Sequence, residues 1–180
     1  MCIRDSPFTE VANAASHLLP VDGRMQEVKS GSDIRVVVDY AHTPDALASA
    51  LSALKQSCTG ALWVVFGCGG DRDAGKRPEM GRIADSLADQ LVVTNDNPRS
   101  ESPEMIAEDI LVGITGSPCH VELDRSAAIR HAVLNARSGD TVLVAGKGHE
   151  NYQLVGKNKL DFSDVSSAAE ALREREAAHA

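Results

Sequence analysis

Asp96, Asn97, Pro98 and Arg99 bring together an acid, an amide, a rigid turn former and a guanidinium in consecutive positions. An apolar run (Leu91, Val92, Val93, Thr94) precedes them, and a helix opened by Ser102 and Pro103 follows. The set therefore sits at the carboxyl end of a strand, where open α/β sheets bind ligands. Its chemistry suits a small zwitterion. Arg99 can hold a carboxylate through two parallel hydrogen bonds, Asp96 can face an ammonium group, and Pro98 limits how far the pair drifts. The same residue types are ordinary turn formers, so the loop takes its meaning from its neighbours.

Those neighbours are set by the elements around them. From Ile34 onward the chain alternates strand-like and helix-like segments. The pattern predicts strand Ile34 to Tyr40, a helix opened by Thr43 and Pro44 and ending near Gln56, strand Ala61 to Phe66, helix Pro78 to Leu87 and strand Leu91 to Thr94. It continues with a helix from Ser102 and Pro103 to about Val112, a weaker strand near His120 to Leu123, helix Ser126 to Ala136 and strand Thr141 to Ala145. Tyr152 to Phe162, broken by Gly156 and Asn158, reads as a hairpin or edge segment, and Ser163 or Asp164 caps a last helix that frays into Arg173 to Ala180. Repeated β-α-β units predict an α/β, Rossmann-like fold: a mostly parallel twisted sheet with helices on both faces.

In such a sheet the loops after the strands converge on one edge. Here they hold Asp39, Tyr40, Ala41, His42, Thr43, Pro44 and Asp45; Gly67 to Arg77; Asp96 to Arg99; and Gly146, Lys147, Gly148, His149 and Glu150. Gly70 to Lys76 spells the G-x-x-x-x-G-K of a phosphate-binding loop, but Arg77 stands where the Mg²⁺-holding Ser or Thr belongs. The glycines are better read as sites of sharp turning and close approach, with Arg72 a second anion contact. Lys147 and His149 are candidate phosphate or nucleotide contacts. His42, His149 and Cys68 lack zinc-ligand spacing, so no metal site is expected. His17, His131 and His179 and the run Arg173, Glu174, Arg175, Glu176 read as exposed helical or tail positions.

The bulk properties narrow the partners. A chain of 180 residues with 43% hydrophobic content can build one core, and its formal charge of −8 argues against nucleic acid or an anionic membrane. No apolar run reaches the roughly 20 residues that span a bilayer. The four cysteines are widely separated, which fits reduced thiols and a cytoplasmic location. Met1 to Ser6 fit nothing downstream and are read as a non-native start. Val11 to Leu19 reads as the tail of a helix ending at Pro20.

Taken together, D-Y-A-H-T-P-D (Asp39 to Asp45), F-G-C-G-G-D-R-D (Phe66 to Asp73), D-N-P-R (Asp96 to Arg99) and G-K-G-H-E (Gly146 to Glu150) resemble the carboxyl-terminal domain of the Mur ligases. They resemble in particular the class that adds meso-diaminopimelate to UDP-N-acetylmuramoyl-L-alanyl-D-glutamate. The resemblance implies that residues 1–22 hold the non-native start, the last helix of a central ATPase domain and a linker, and that residues 23–180 are the carboxyl-terminal domain. It implies ATP and Mg²⁺ held mainly by the central domain, and an acyl phosphate attacked by the amine of diaminopimelate. It assigns Arg72, Asp96, Asn97, Arg99, Gly146 and Glu150 to diaminopimelate and places Arg24, Asp39 and His42 near the nucleotide. No catalytic residue is assigned within this chain. Gln26 and Asn95 depart from the family pattern, which often has acids there. A non-catalytic amino-acid-binding module, a lysine-adding ligase and an unrelated kinase built on Gly70 to Lys76 remain alternatives.

Overall fold

The computed structural model describes Glu10 and residues 21–179. Val11 to Leu19, expected as the tail of a helix, lies outside the described residues. Six strands form one sheet: β1 (Gln26–Glu27), β2 (Arg35–Asp39), β3 (Leu62–Phe66), β4 (Gln90–Val93), β5 (Cys119–Val121) and β6 (Thr141–Ala145), in the order β1-β2-β6-β3-β4-β5. β1 runs antiparallel to β2, and every other pairing is parallel. The interleaved helices are α1 (Pro44–Lys55), α2 (Lys76–Leu87), α3 (Pro103–Leu111), α4 (Arg125–Asn135) and α5 (Asp164–His179). A separate two-stranded hairpin, β7 (Tyr152–Val155) with β8 (Asn158–Asp161), leads from β6 to α5.

The alternation of side chains along each strand divides the core in two. Val37, Val64, Phe66, Leu91, Val93 and Leu143 face one side and meet α1, α2 and α3 through Leu47, Leu51, Leu54, Met80 and Ile110. Val36, Val38, Val65, Val92, Val142 and Val144 face the other and meet α4 and α5 through Ile129, Val133, Ala168 and Leu172. Strands buried on both faces read as continuous apolar runs, which is why β3 and β6 stand out in the sequence.

Except at α2, which follows Gly75, the helix starts carry side-chain caps. Thr43 accepts from the Ala46 N–H with Pro44 in the first turn, Ser102 accepts from Met105 N with Pro103 behind it, and Asp124 accepts from Ala127 N. Ser163 Oγ accepts from Ser166 N at 3.3 Å, so Ser163 rather than Asp164 caps α5.

Three expectations are corrected. Helix α2 begins at Lys76 rather than Pro78, because Pro is compatible with a first helical turn and does not have to open it. The linker after Gly23 includes the short edge strand β1, whose two residues are too few to show any periodicity. The charged end of the chain does not fray: α5 continues to His179, and Arg175 is buried, with Nε 2.9 Å from Asp33 Oδ1 and Nη1 donating to the carbonyls of Val133 and Ala136. Arg173 and Glu174 are exposed as expected, Glu174 pairing with Arg130, whereas Glu176 is half-buried and accepts from Gly31 N.

One carboxylate outside the candidate site carries a pH signature. Asp85 on α2 accepts the N–H groups of Thr115 and Ser117 at 3.0 and 2.7 Å, and these bonds hold its pKa at about 2 against an ordinary 3.8. A depressed folded-state pKa adds stability that is present above the unfolded value and is lost as pH falls toward the folded one. The wild-type urea midpoint should therefore exceed that of Asp85→Asn at pH 5, with the gap closing between about pH 4 and pH 2. A gap independent of pH would remove Asp85 from that role.

Candidate functional site

β6 is the topological pivot of the sheet. The chain leaves its neighbours β2 and β3 toward helices on one face, whereas after β6 it passes to α5 on the other. Crevices open at such switch points, outside the carboxyl ends of the strands. A cavity of about 460 Å³ lies there, lined by residues from all four loops: Tyr40 and His42; Gly69, Arg72 and Lys76; Asp96, Asn97 and Arg99; Gly146 and Glu150, with Tyr152 from the hairpin. Arg72, Asp96, Asn97, Arg99, Gly146 and Glu150, separated by up to half the chain, thus meet in one place.

The D-N-P-R loop is held from below by Lys147. This side chain is fully buried, and its ammonium donates to Asn97 Oδ1 and to Tyr152 O, each at 2.9 Å. It lies 3.6 Å from Asp96 Oδ1 and 3.8 Å from Glu150 Oε2. Burial lowers the pKa of Lys147, an effect opposed by the Asp96 carboxylate and reinforced by Arg125. The reading of Lys147 as a phosphate contact is therefore corrected: all its reach is spent inside the protein. Asn97 Nδ2 donates to Glu150 Oε2 at 3.1 Å, and Tyr40 OH to Glu150 Oε1 at 3.4 Å. Burial and the Glu150 charge raise the pKa of Tyr40, so the phenol keeps the proton it donates.

Cations and anions are distributed unequally in the cavity. Asp96 and Glu150 already face Lys147, while neither Arg72 nor Arg99 makes a salt bridge to a carboxylate among the described residues. Arg99 is half-buried and donates from Nη1 to Gly70 O at 2.7 Å; Arg72 is exposed. Gly70 is required by close approach, since a Cβ there would stand 2.0 Å from Pro98 O. Gly146 has φ +123°, and a Cβ on it would meet Asp96 Oδ2 at 2.6 Å.

The glycine loop does not fit a phosphate. Gly70 N donates to Asn97 O, Asp71 N to Glu101, and Gly75 N to Asp73 Oδ1, so these N–H groups are already occupied. Lys76 Nζ donates to His42 O at 2.9 Å, and buried Arg77 is shared between Glu101 and Asp109. Cys68 packs against Met80, and burial pushes its thiol up to about 12.

The three residues expected near a nucleotide divide. His42 lines the cavity and bonds through Nδ1 to Tyr40 O at 2.8 Å. Arg24 stands outside it, its guanidinium 4.7 Å above the Tyr40 ring, which also contacts His42 and His149. Asp39 is buried and accepts from Met25 N at 2.7 Å and Ala41 N at 2.8 Å, so it shapes the backbone rather than facing a ligand. Gln26 accepts from Gly23 N, a bond an acid can also make. Asn95 Nδ2 donates to Leu123 O at 2.8 Å, which an ionised carboxylate cannot do. His131 is half-buried and stacks on His120 at 3.9 Å, so exposure does not describe it.

Sequence reasoning passed over Arg125. It is fully buried, forks onto both oxygens of Asp164 at 2.8 Å, and donates to Asn95 O and Ala145 O, the carbonyls that lead into D-N-P-R and G-K-G-H-E. At the head of α4 it has no local signal; only the distant Asp164 shows what it does.

A doubly wound sheet with a polar, doubly charged cavity at its carboxyl edge defines a ligand-binding α/β domain. The Mur ligase, glutamate ligase domain model matches residues 23–148, and the chain belongs to the Mur ligase family. It is 53% identical over 161 residues to the UDP-N-acetylmuramoyl-L-alanyl-D-glutamate--2,6-diaminopimelate ligase of Vibrio vulnificus, covering 89% of this chain and 33% of that protein. Its identity to the ligase of the same name from Chromobacterium violaceum is 51% over 174 residues, covering 96% and 35%. A solved structure of a UDP-N-acetylmuramoyl-L-alanyl-D-glutamate--2,6-diaminopimelate ligase superposes with TM-score 0.82 and 41% identity, over 98% of this chain and 36% of that one. The chain spans about a third of the length of the curated relatives it matches.

Proposed function

We propose that this cavity binds meso-diaminopimelate, and that the chain is the amino-acid-delivering part of a cytoplasmic ligase joining it to UDP-N-acetylmuramoyl-L-alanyl-D-glutamate in peptidoglycan synthesis. One observation carries the reading: Arg72 and Arg99, neither of them in a salt bridge among the described residues, share a cavity with Asp96 and Glu150. The far end of diaminopimelate, away from the reacting amine, is a second amino acid group; its carboxylate, which lysine lacks, matches the guanidiniums and its ammonium matches the acids. The Asn97 amide and the Gly146 backbone shape the space between them.

The amine at the other end projects out of the cavity as the nucleophile. In the family reaction ATP turns the γ-carboxylate of the D-glutamate into an acyl phosphate; the amine forms the amide bond, loses a proton, and phosphate departs. This chain orients the amine and keeps water away, effects that convert an encounter into a positioned attack. ATP and Mg²⁺ belong to the part of the relatives that the chain does not span. Arg24 and His42, both against the Tyr40 ring, are the residues assigned to the neighbourhood of the nucleotide.

The reading is tested in a complete ligase made by joining residues 23–180 to the amino-terminal two thirds or so of the Vibrio vulnificus relative. Phosphate release should depend on meso-diaminopimelate, with lysine poorer by about a hundredfold or more in kcat/KM, since a site that bonds a polar substrate group rejects analogues lacking it. Equal use of lysine would overturn the substrate. Amino-acid binding without turnover would favour a non-catalytic module.

A further inference from the structure

The β7–β8 hairpin supplies no buried residue to either apolar core, and β8 is exposed throughout. The segment matched by the family model ends at residue 148, before the hairpin begins. Its bonds nevertheless run to one destination. Leu154 N donates to Asn97 Oδ1 at 2.8 Å, Leu154 O accepts from Arg99 N at 3.1 Å, and Gly156 N donates to Arg99 O at 2.7 Å. Gln153 Nε2 donates to Asp96 O at 2.8 Å, and Tyr152 O accepts from Lys147 Nζ.

We propose that this hairpin is a positioning clamp for the amino-acid pocket, which through Leu154 and the buried Lys147 sets the Asn97 amide and the Arg99 backbone, and with them the preference for a second carboxylate. The inference rests on the reading of the cavity given above. Asn97 Oδ1 accepts from both Lys147 Nζ and Leu154 N, so both lone pairs are used and the amide cannot turn over without setting its NH₂ against two donors. Its Nδ2 is thereby directed at Glu150. Arg99 has φ +52°, a left-handed conformation that a side-chain-bearing residue rarely adopts unless its surroundings hold it there. Bonds from the hairpin to both its N–H and its carbonyl hold it there, and that backbone aims the guanidinium along Gly70 into the cavity.

Leu154 allows a test at the level of single atoms. Alternate residues of an antiparallel strand turn their backbone groups away from the partner strand, and both groups of Leu154 go to the D-N-P-R loop. Leu154→Pro deletes the N–H that serves Asn97 without removing a β7–β8 ladder bond, because that N–H points away from β8. In the joined ligase, Leu154→Pro and Lys147→Met should each raise the KM for meso-diaminopimelate about five- to tenfold, leave the KM for lysine nearly unchanged, and so shrink the selectivity. In an Asn97→Ala background, Lys147→Met should add no further loss. Should Lys147→Met fail to fold, Gln153→Ala removes one clamp bond from the surface and should lower selectivity in the same direction. Unchanged selectivity in every soluble variant, or fully additive losses, overturns the clamp alone. A wild-type ligase that does not use meso-diaminopimelate overturns the functional reading and the clamp with it.

Discussion

Arg99→Ala should raise the KM for meso-diaminopimelate at least thirtyfold or so, with a much smaller change for lysine. Truncating one member of a desolvated, hydrogen-bonded charge pair costs about 2 to 5 kcal/mol, and each 1.4 kcal/mol is tenfold. The lower end applies because Arg99 is half-buried rather than sealed. Its Nη1 is already on Gly70 O, which aims the fork but leaves the charge outside any salt bridge among the described residues. Lysine has no distal carboxylate, so its binding does not use that charge and the preference between the two amino acids should narrow. Arg99→Lys should recover little, since an ammonium cannot reproduce two parallel bonds. The measurement is steady-state kinetics with both amino acids; a preference unaltered in Arg99→Ala would remove Arg99 from the recognition of the second carboxylate.

Arg125→Met should lower the unfolding free energy by about 3 to 5 kcal/mol, the cost of leaving a buried charge without its partner. Both members of the Arg125–Asp164 pair have fully buried side chains, with the Nε–Oδ1 distance at 2.8 Å. Small domains are stable by roughly 5 to 15 kcal/mol, so the loss is a large share. The same guanidinium caps the carbonyls of Asn95 and Ala145, so the two loops it tethers should loosen and amino-acid affinity should fall alongside stability. Replacing both partners, in Arg125→Met with Asp164→Leu, should restore part of the stability, because apolar packing often substitutes for a buried ion pair. Urea denaturation read against meso-diaminopimelate binding decides it. A single variant within 1 kcal/mol or so of wild type would show that the pair is not the anchor.

The helices and central strands were legible because their signals are local. Thr43 with Pro44 and Ser102 with Pro103 carry their own caps, and the valine-rich β3 and β6 are apolar on both faces. The candidate site was legible for a topological reason: parallel strands send their loops to one edge, and D-N-P-R, the glycine loop and G-K-G-H-E are those loops. The errors fell where a side chain's environment is made by distant residues. Lys147 looked like a ligand contact and is buried under Asn97; Arg175 looked solvated and is held by Asp33 and the end of α4.

Sequence alone determined the alternation of elements, the order of the polar loops and the charges they bring, because periodicity, capping and residue type act within a few positions along the chain. The tertiary structure decided which of those charges remain available. Asp39, Lys147 and Arg77 are consumed by backbone groups or by side-chain partners, whereas Arg72 and Arg99 still face the cavity. It also decided that the hairpin after β6 serves the D-N-P-R loop rather than the sheet. Hydrogen-bond capacity is finite and a buried donor or acceptor must be satisfied, so availability depends on who lies within about 3 Å in space, a relation that spacing along the chain does not carry.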